Sequence, residues 1–240
     1  MEAIVLAGGL GTRLRSVVSD VPKPMAPIND KPFLEYILEF LNNQNIKKVI
    51  LSVGYKWEVI KDYFGDKYKD IELVYNIEKE QLGTGGAIKD SLKLTKNDEV
   101  YVLNGDTFFD VDLSKMKLDS NLIEIALKEM KDFDRYGVVE IDENRYIRNF
   151  KEKSYYNQGF INGGIYLLKR EIFDDFNLPK KFSFEEFLEN NFQNLKAKGK
   201  VFNSYFIDIG IPEDYEKAKR YFSENFIFSP HSAPLPPFIP

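Results

Sequence analysis

Short apolar runs alternate with helix-periodic segments through the first hundred residues, and this alternation narrows the fold more than any other feature of the chain. AIVLA (3–7), KVILSV (48–53), IELVY (71–75) and VYVL (100–103) are strand-length and apolar at nearly every position, as strands buried on both faces are. Between them FLEYILEFL (33–41), residues 57–64 and TGGAIKDSLKL (84–94) carry apolar side chains at helical spacing, with Pro32 suited to the first turn of the first helix. Strand and helix in alternation imply a parallel sheet covered on both faces.

The pattern changes past residue 120. Residues 122–130, 138–141 and 161–168 read as strands with no helix between them, so the sheet is expected to become mixed. SFEE (183–186) has the Ser-x-x-Glu spacing of a capping box and opens a helix expected to run to about residue 195. Residues 201–207 read as a strand and 212–222 as a closing helix. No linker or internal repeat divides the chain, so the expectation is one α/β domain over residues 1–225, Rossmann-like, with a central mixed, mostly parallel sheet flanked by helices. Residues 226–240 hold five of the eleven prolines and the one histidine, His231, and are expected to form a flexible tail outside it.

Composition removes several functions. With 33 Lys and Arg against 38 Asp and Glu the net charge is −5, which argues against DNA or RNA, whose backbone needs an extended cationic surface. A small anion needs only a few local cations. There is no cysteine, which suits a reducing compartment, and no run has the length of a transmembrane helix, so a cytoplasmic protein without a membrane partner is expected. A homo-oligomer is compatible with this sequence.

The loop after the first strand, Gly8-Gly9-Leu10-Gly11-Thr12-Arg13, lies where open α/β sheets hold ligands. As a dinucleotide G-x-G-x-x-G it fails, because Leu14 stands at the third glycine; as a phosphate-binding G-x-x-x-x-G-K-[ST] it lacks the Lys-Ser/Thr pair. Bare glycine amides can approach an anion closely, and Arg13, Arg15 and Lys23 lie beside them in sequence. An ordinary glycine turn among surface cations is the plainer reading. The extra glycine, Thr12, the cations and the PKPM brace (22–25) favour a triphosphate site.

These two stretches, G-G-x-G-[TS]-R-L at 8–14 and P-K-P at 22–24, resemble the signature of the sugar nucleotidyltransferases, which join a nucleoside triphosphate to a sugar 1-phosphate. The resemblance continues through LGTGGA (82–87), LNGDTFFDVDL (103–113), FKEK (150–153), NGGIYLL (162–168) and FIDIGIPEDY (206–215), to about residue 222. Within the family it is nearest to guanylyltransferases, which implies GTP and a sugar 1-phosphate, a heptose 1-phosphate first and mannose 1-phosphate as the alternative. A non-catalytic nucleotide-sugar sensor is the reading from another class.

By that resemblance Leu6, Ala7, Gly8, Gly9, Gly11, Thr12, Arg13, Lys23, Gly83, Thr84, Asn104 and Gly105 bind the nucleotide. Gly83-Thr84-Gly85-Gly86 is otherwise a helix start with permissive glycines; in the family, small residues there let the flat base lie against backbone. Asp106 and Asp208 each follow an apolar strand and singly could be caps or turn residues. The resemblance makes them the ligands of a shared Mg²⁺, an ion that favours carboxylate, phosphate and water. Asp110 and Asp112 are read as turn residues. Glu152 and Lys153, otherwise an exposed charge pair, are implied to meet sugar hydroxyls and the sugar phosphate. Tyr136, Gly137, Asn162 and Gly163 would complete the pocket, although Asn-Gly is equally a β-turn sequence.

Without cysteine, and with its lone histidine in the tail, the chain is not equipped for thiol or histidine nucleophiles. Transfer to a sugar phosphate needs neither, because a phosphate monoester with a second pKa of about 6 is already largely dianionic. Arg13, Lys23, Asp106 and Asp208 are the expected catalytic set.

Overall fold

The computed structural model describes residues 1–9 and 21–225. Its main sheet forms around four parallel strands: β1 (Glu2–Ala7), then after the two-residue strands β2 (Pro27–Ile28) and β3 (Lys31–Pro32) come β4 (Lys48–Val53) and, past β5 (Lys67–Tyr68), β6 (Ile71–Ile77) and β7 (Glu99–Asn104). Helices α1 (Phe33–Asn43), α2 (Trp57–Phe64) and α3 (Gly83–Leu92) make the crossovers. Pro32, extended at φ −65°, sets the start of α1, as its fixed geometry suits.

The later strands are β8 (Thr107–Phe109), β9 (Ile123–Phe133), β10 (Val138–Ile141), β11 (Ile147–Lys151), β12 (Tyr156–Lys169), β13 (Lys198–Phe202) and β14 (Phe206–Asp208). The main sheet has eight strands in the order β13-β9-β12-β7-β1-β4-β6-β5. It is mixed and mostly parallel, as expected. β12 runs antiparallel to both β7 and β9, and β13 parallel to β9. Three two-stranded ladders, β10 with β11, β14 with β8 and β2 with β3, stand beside it.

Alternation along β1 shows how the layers are filled. Ala3, Val5 and Ala7 enter the core under α1, α2 and α5 (Pro212–Asn225), while Ile4 enters the core under α3 and α4 (Phe184–Asn191). All four are essentially inaccessible to solvent. Phe222 of α5 is wedged between Tyr36, Phe33 and Phe108, tying the end of the described chain to the first helix. Among the described residues no helix is long and apolar enough to cross a membrane.

Three expectations change. Residues 201–207 are two strands, β13 and β14, in different sheets, because the carbonyls of Asn203 and Ser204 turn to accept from the Lys128 ammonium at 3.0 and 2.9 Å. Helix α4 stops at Asn191 rather than near 195. Asn190 and Asn191 turn their side chains back onto the carbonyls of Glu186 and Phe187, each at 2.8 Å, which competes with continuation of the helix. Asn162-Gly163 is no hairpin turn: it lies inside β12, where the pairing with β9 is interrupted between Asn162 and Tyr166.

Candidate active site

Ligand sites of open α/β sheets collect at the carboxyl ends of the parallel strands, and here those ends are Ala7, Val53, Ile77 and Asn104. After β7 the chain turns tightly at Gly105, whose N–H donates to the Leu6 carbonyl at 2.9 Å. A Cβ on residue 105 would stand 2.5 Å from that oxygen, so only glycine lets this turn close over β1. Asp106 follows. β14 then pairs with β8 so that Asp208 faces Thr107, and the Ile209 N–H donates to the Asp106 carbonyl at 3.0 Å. Two carboxylates a hundred residues apart in the chain are thereby placed side by side.

Lys23 reaches between them. Its ammonium lies 2.6 Å from Asp106 Oδ2 and 3.8 Å from Asp208 Oδ1. The 3-10 turn Lys23–Met25 that presents it is stiffened by Pro22 and Pro24 and closed by the Met25 N–H on the Pro22 carbonyl at 2.7 Å. Burial, and then the neighbouring Asp106 charge, raise the Asp208 carboxyl above its ordinary value against the opposing pull of Lys23 and the Gly210 N–H.

Two cavities meet at this pair. The first, about 650 Å³, runs past Leu6, Gly8, Gly9, Lys23, Gly83, Thr84, Asn104 and Gly105. The second, about 690 Å³, is bounded by Tyr136, Gly137, Glu152, Lys153, Asn162 and Gly164. Asn104, Asp106, Asp208 and Gly210 belong to both walls. Each is of a size for a small ligand.

Most residues expected from the sequence are thus brought together, in two groups. Ala7 is buried in the core rather than on the first cavity's wall. Gly11, Thr12 and Arg13 lie outside the described residues. Gly163 is turned away from the second cavity, where a Cβ would meet the Phe109 ring at 2.5 Å; its neighbour Gly164, at φ +72°, takes the lining position. Asn162 is fixed from both sides, donating to the Tyr166 hydroxyl at 2.9 Å and accepting from the Gly164 N–H at 3.0 Å. The glycines of 83–86 serve protein packing more than open space: Cβ atoms on Gly85 and Gly86 would meet the Phe182 ring and the Lys180 carbonyl at 2.2 and 2.5 Å. Thr84 donates to Glu185 at 2.7 Å. Tyr136 has its hydroxyl pKa pushed up to about 12 by burial and by the Asp208 charge. Asp112 is a turn residue as expected, accepting from the Ser114 N–H at 3.1 Å.

Sequence reasoning missed Glu78, Gln81, Lys181 and Glu185 on the first cavity, and Arg135 and Glu189 on the second. Glu78 had a usable signal, since it directly follows β6. Arg135 is ion-paired with Asp214 and reaches the Tyr136 hydroxyl at 3.3 Å.

A cation-seeking carboxylate pair on the shared wall of two cavities, behind a glycine turn, defines an enzyme that joins two phosphate-bearing ligands. The chain belongs to the nucleotidyl transferase family, whose model it matches over residues 2–225. It is 63% identical over 215 residues to D-glycero-alpha-D-manno-heptose 1-phosphate guanylyltransferase of Campylobacter jejuni, a match covering 90% of this chain and 97% of that one. The protein of the same name from Aneurinibacillus thermoaerophilus is 54% identical over 228 residues, covering 92% and 97%. The crystal structure of HddC from Yersinia pseudotuberculosis complexed with GMP-PN superposes with a TM-score of 0.79 at 39% identity, over 92% of this chain and 99% of that one.

Members of this family commonly use a divalent metal. The donor set fits one. Asp106 and Asp208 converge on a single ammonium, so this spot already favours a cation. Among the described residues no group of three or more His, Cys, Asp or Glu could hold a metal ion. A two-carboxylate site leaves the remaining positions to phosphates and water, the manner in which Mg²⁺ is commonly bound.

Proposed function

We propose that this protein transfers GMP from GTP to D-glycero-D-manno-heptose 1-phosphate, giving GDP-heptose and pyrophosphate. The observation that carries the reading is the shared wall: the two cavities have Asp106 and Asp208 in common, so a nucleotide in one and a sugar phosphate in the other would meet at the carboxylates. Identity of 63% and 54% to two guanylyltransferases named for this heptose phosphate supports the substrate pair.

In this mechanism an oxygen of the sugar phosphate attacks the α-phosphorus of GTP. A new P–O bond forms, the bond to the β-phosphate breaks, and pyrophosphate leaves with the electron pair. The nucleophile is already anionic, so no side chain is needed as a base. The protein aligns the two phosphates and neutralises charge as it develops. Gly8 and Gly9 offer backbone amides to the triphosphate, Lys23 supplies a point charge at the α-phosphate, and Arg13 is assigned to the departing β- and γ-phosphates. Asp106 and Asp208 would hold Mg²⁺, which when bound offsets negative charge between nucleophile and triphosphate. Tyr136, Asn162 and Glu152 orient the sugar, and Lys153 meets its phosphate. The proposed location is the cytoplasm, where both substrates would be drawn from solution.

The test is pyrophosphate release by the purified protein over four nucleoside triphosphates crossed with a panel of sugar 1-phosphates. Release with GTP and the heptose phosphate above all other pairs is expected. A preference for mannose 1-phosphate would move the substrate assignment, and no release with any pair would favour a nucleotide-sugar sensor.

A further inference from the structure

We propose that Glu78 reads the Watson–Crick edge of guanine, its carboxylate accepting from the ring N1–H and from the exocyclic N2 amine. This deepens the GTP reading above and rests on it.

The argument begins with position. Across the parallel strand ends the order is β7, β1, β4, β6, with Asp106 just after the first and Glu78 just after the last. Three strand spacings of about 4.8 Å place Glu78 roughly 14 Å from the Lys23–Asp106 end of the cavity that both line. A triphosphate belongs at the cationic end, so the base falls toward Glu78. A lone carboxylate would repel the phosphates at close range, and the distance separates the two.

Its surroundings leave Glu78 ready for a ligand's donors. Oε1 accepts from the Ser52 hydroxyl at 3.1 Å and Oε2 from the Leu82 N–H at 3.3 Å. These two bonds fix the carboxylate and leave further lone pairs on both oxygens. Among the described residues no cation forms an ion pair with it. A Cβ on Gly8 would stand 2.8 Å from Oε1, so the bare Gly8 backbone keeps that oxygen open. Burial makes the carboxylate more basic than usual, against those two hydrogen bonds, which strengthens it as an acceptor.

Only guanine among the standard bases matches an ionised carboxylate with two adjacent donors. Adenine and cytosine would turn a ring-nitrogen lone pair toward it, and uracil offers one N–H between two carbonyls. Gln81, on the same wall, carries both a donor and an acceptor and can turn either to the base, so it imposes no such choice.

Kinetics with GTP and with ITP, which lacks only the N2 amine, test this in the wild type and in Glu78→Gln. The wild type is expected to favour GTP in kcat/KM by roughly 10- to 100-fold, the contribution of one hydrogen bond to a charged group. In Glu78→Gln the preference should shrink to about two-fold or less, because an amide presents only one acceptor to two donors. XTP, which carries a carbonyl where guanine has its amine, should become a better substrate of the variant than of the wild type. Equal use of GTP and ITP by the wild type would overturn the assignment, and that measurement stands even if the variant fails to fold. A GTP preference left intact in a folded Glu78→Gln would overturn it too, since a merely structural role lowers all triphosphates together. Failure of the GTP reading itself would show separately, as a wild type that does not turn over GTP.

Discussion

Gly105→Ala should uncouple the chemistry from the fold. The new methyl carbon would lie 2.5 Å from the Leu6 carbonyl oxygen, about 0.9 Å inside the 3.4 Å where ordinary contact begins, and 3.2 Å from the Leu6 carbonyl carbon. Both obstacles are backbone of a central strand, so β1 cannot yield and the turn after β7 must lift. Asp106 is the next residue, and its 2.6 Å contact with Lys23 moves with it. Overpacking of this kind destabilises by about 1–3 kcal/mol, while misplacing catalytic groups by about 1 Å can lower the rate by roughly 10²-fold. We therefore expect a folded protein, melting lower by several degrees, with kcat/KM for pyrophosphate release down by about two orders of magnitude. Gly9→Ala is the control. It meets nothing within 4 Å, so its melting temperature should match the wild type. Gly105→Ala with wild-type kcat/KM would refute the claim that this turn positions Asp106.

Lys23→Met should reduce kcat by roughly 10²–10³-fold while the protein still folds, as removal of one preorganised donor does; steady-state rates and a melting curve together check it. Chelation with EDTA should abolish turnover and added Mg²⁺ restore it, whereas Asp106→Ala should stay inactive at any Mg²⁺ concentration; full activity in EDTA would remove the metal assignment. Asp214 gives a pH prediction. Burial works to raise its pKa, but Lys217 and Arg135 outweigh this and hold it below the ordinary carboxylate value. A depressed folded-state pKa contributes stability that is present above about pH 4 and is lost as pH falls through the lowered value. Melting temperatures of Asp214→Asn and wild type should therefore converge toward acid, and a gap that stays constant below pH 4 would contradict this.

The central sheet was readable because each strand of its parallel half is a separate apolar run, and burial on both faces leaves that trace in the residues. The β13–β14 break was not, because the device that splits the run is Lys128, seventy-five residues away from Asn203 in sequence. The same holds at the site. Asp106 and Asp208 could be found because each closes an apolar strand. Glu185 was seen only as part of a capping box, and Ser183 does accept from the Glu186 N–H at 3.2 Å; that its carboxylate also holds Thr84, a hundred residues earlier, is a tertiary fact. The exchange of Gly163 for Gly164 on the cavity wall follows from the interruption in β12, which re-aims side chains in a way that alternation along a strand does not foresee.

The pairing of β14 with β8 also sets when the protein becomes competent. Lys23 is made early in synthesis, Asp106 midway, and Asp208 only with the last part of the described chain, just ahead of the helix whose Phe222 closes over Tyr36. A nascent chain that has not yet delivered β14 holds the glycine turn and one carboxylate, without the second that faces it. Such a chain can fold much of its parallel sheet from nearby partners, yet it cannot catalyse until the most distant contacts have formed. Activity thus reports completion of the chain, and every premature stop before Asp208 yields an inert protein.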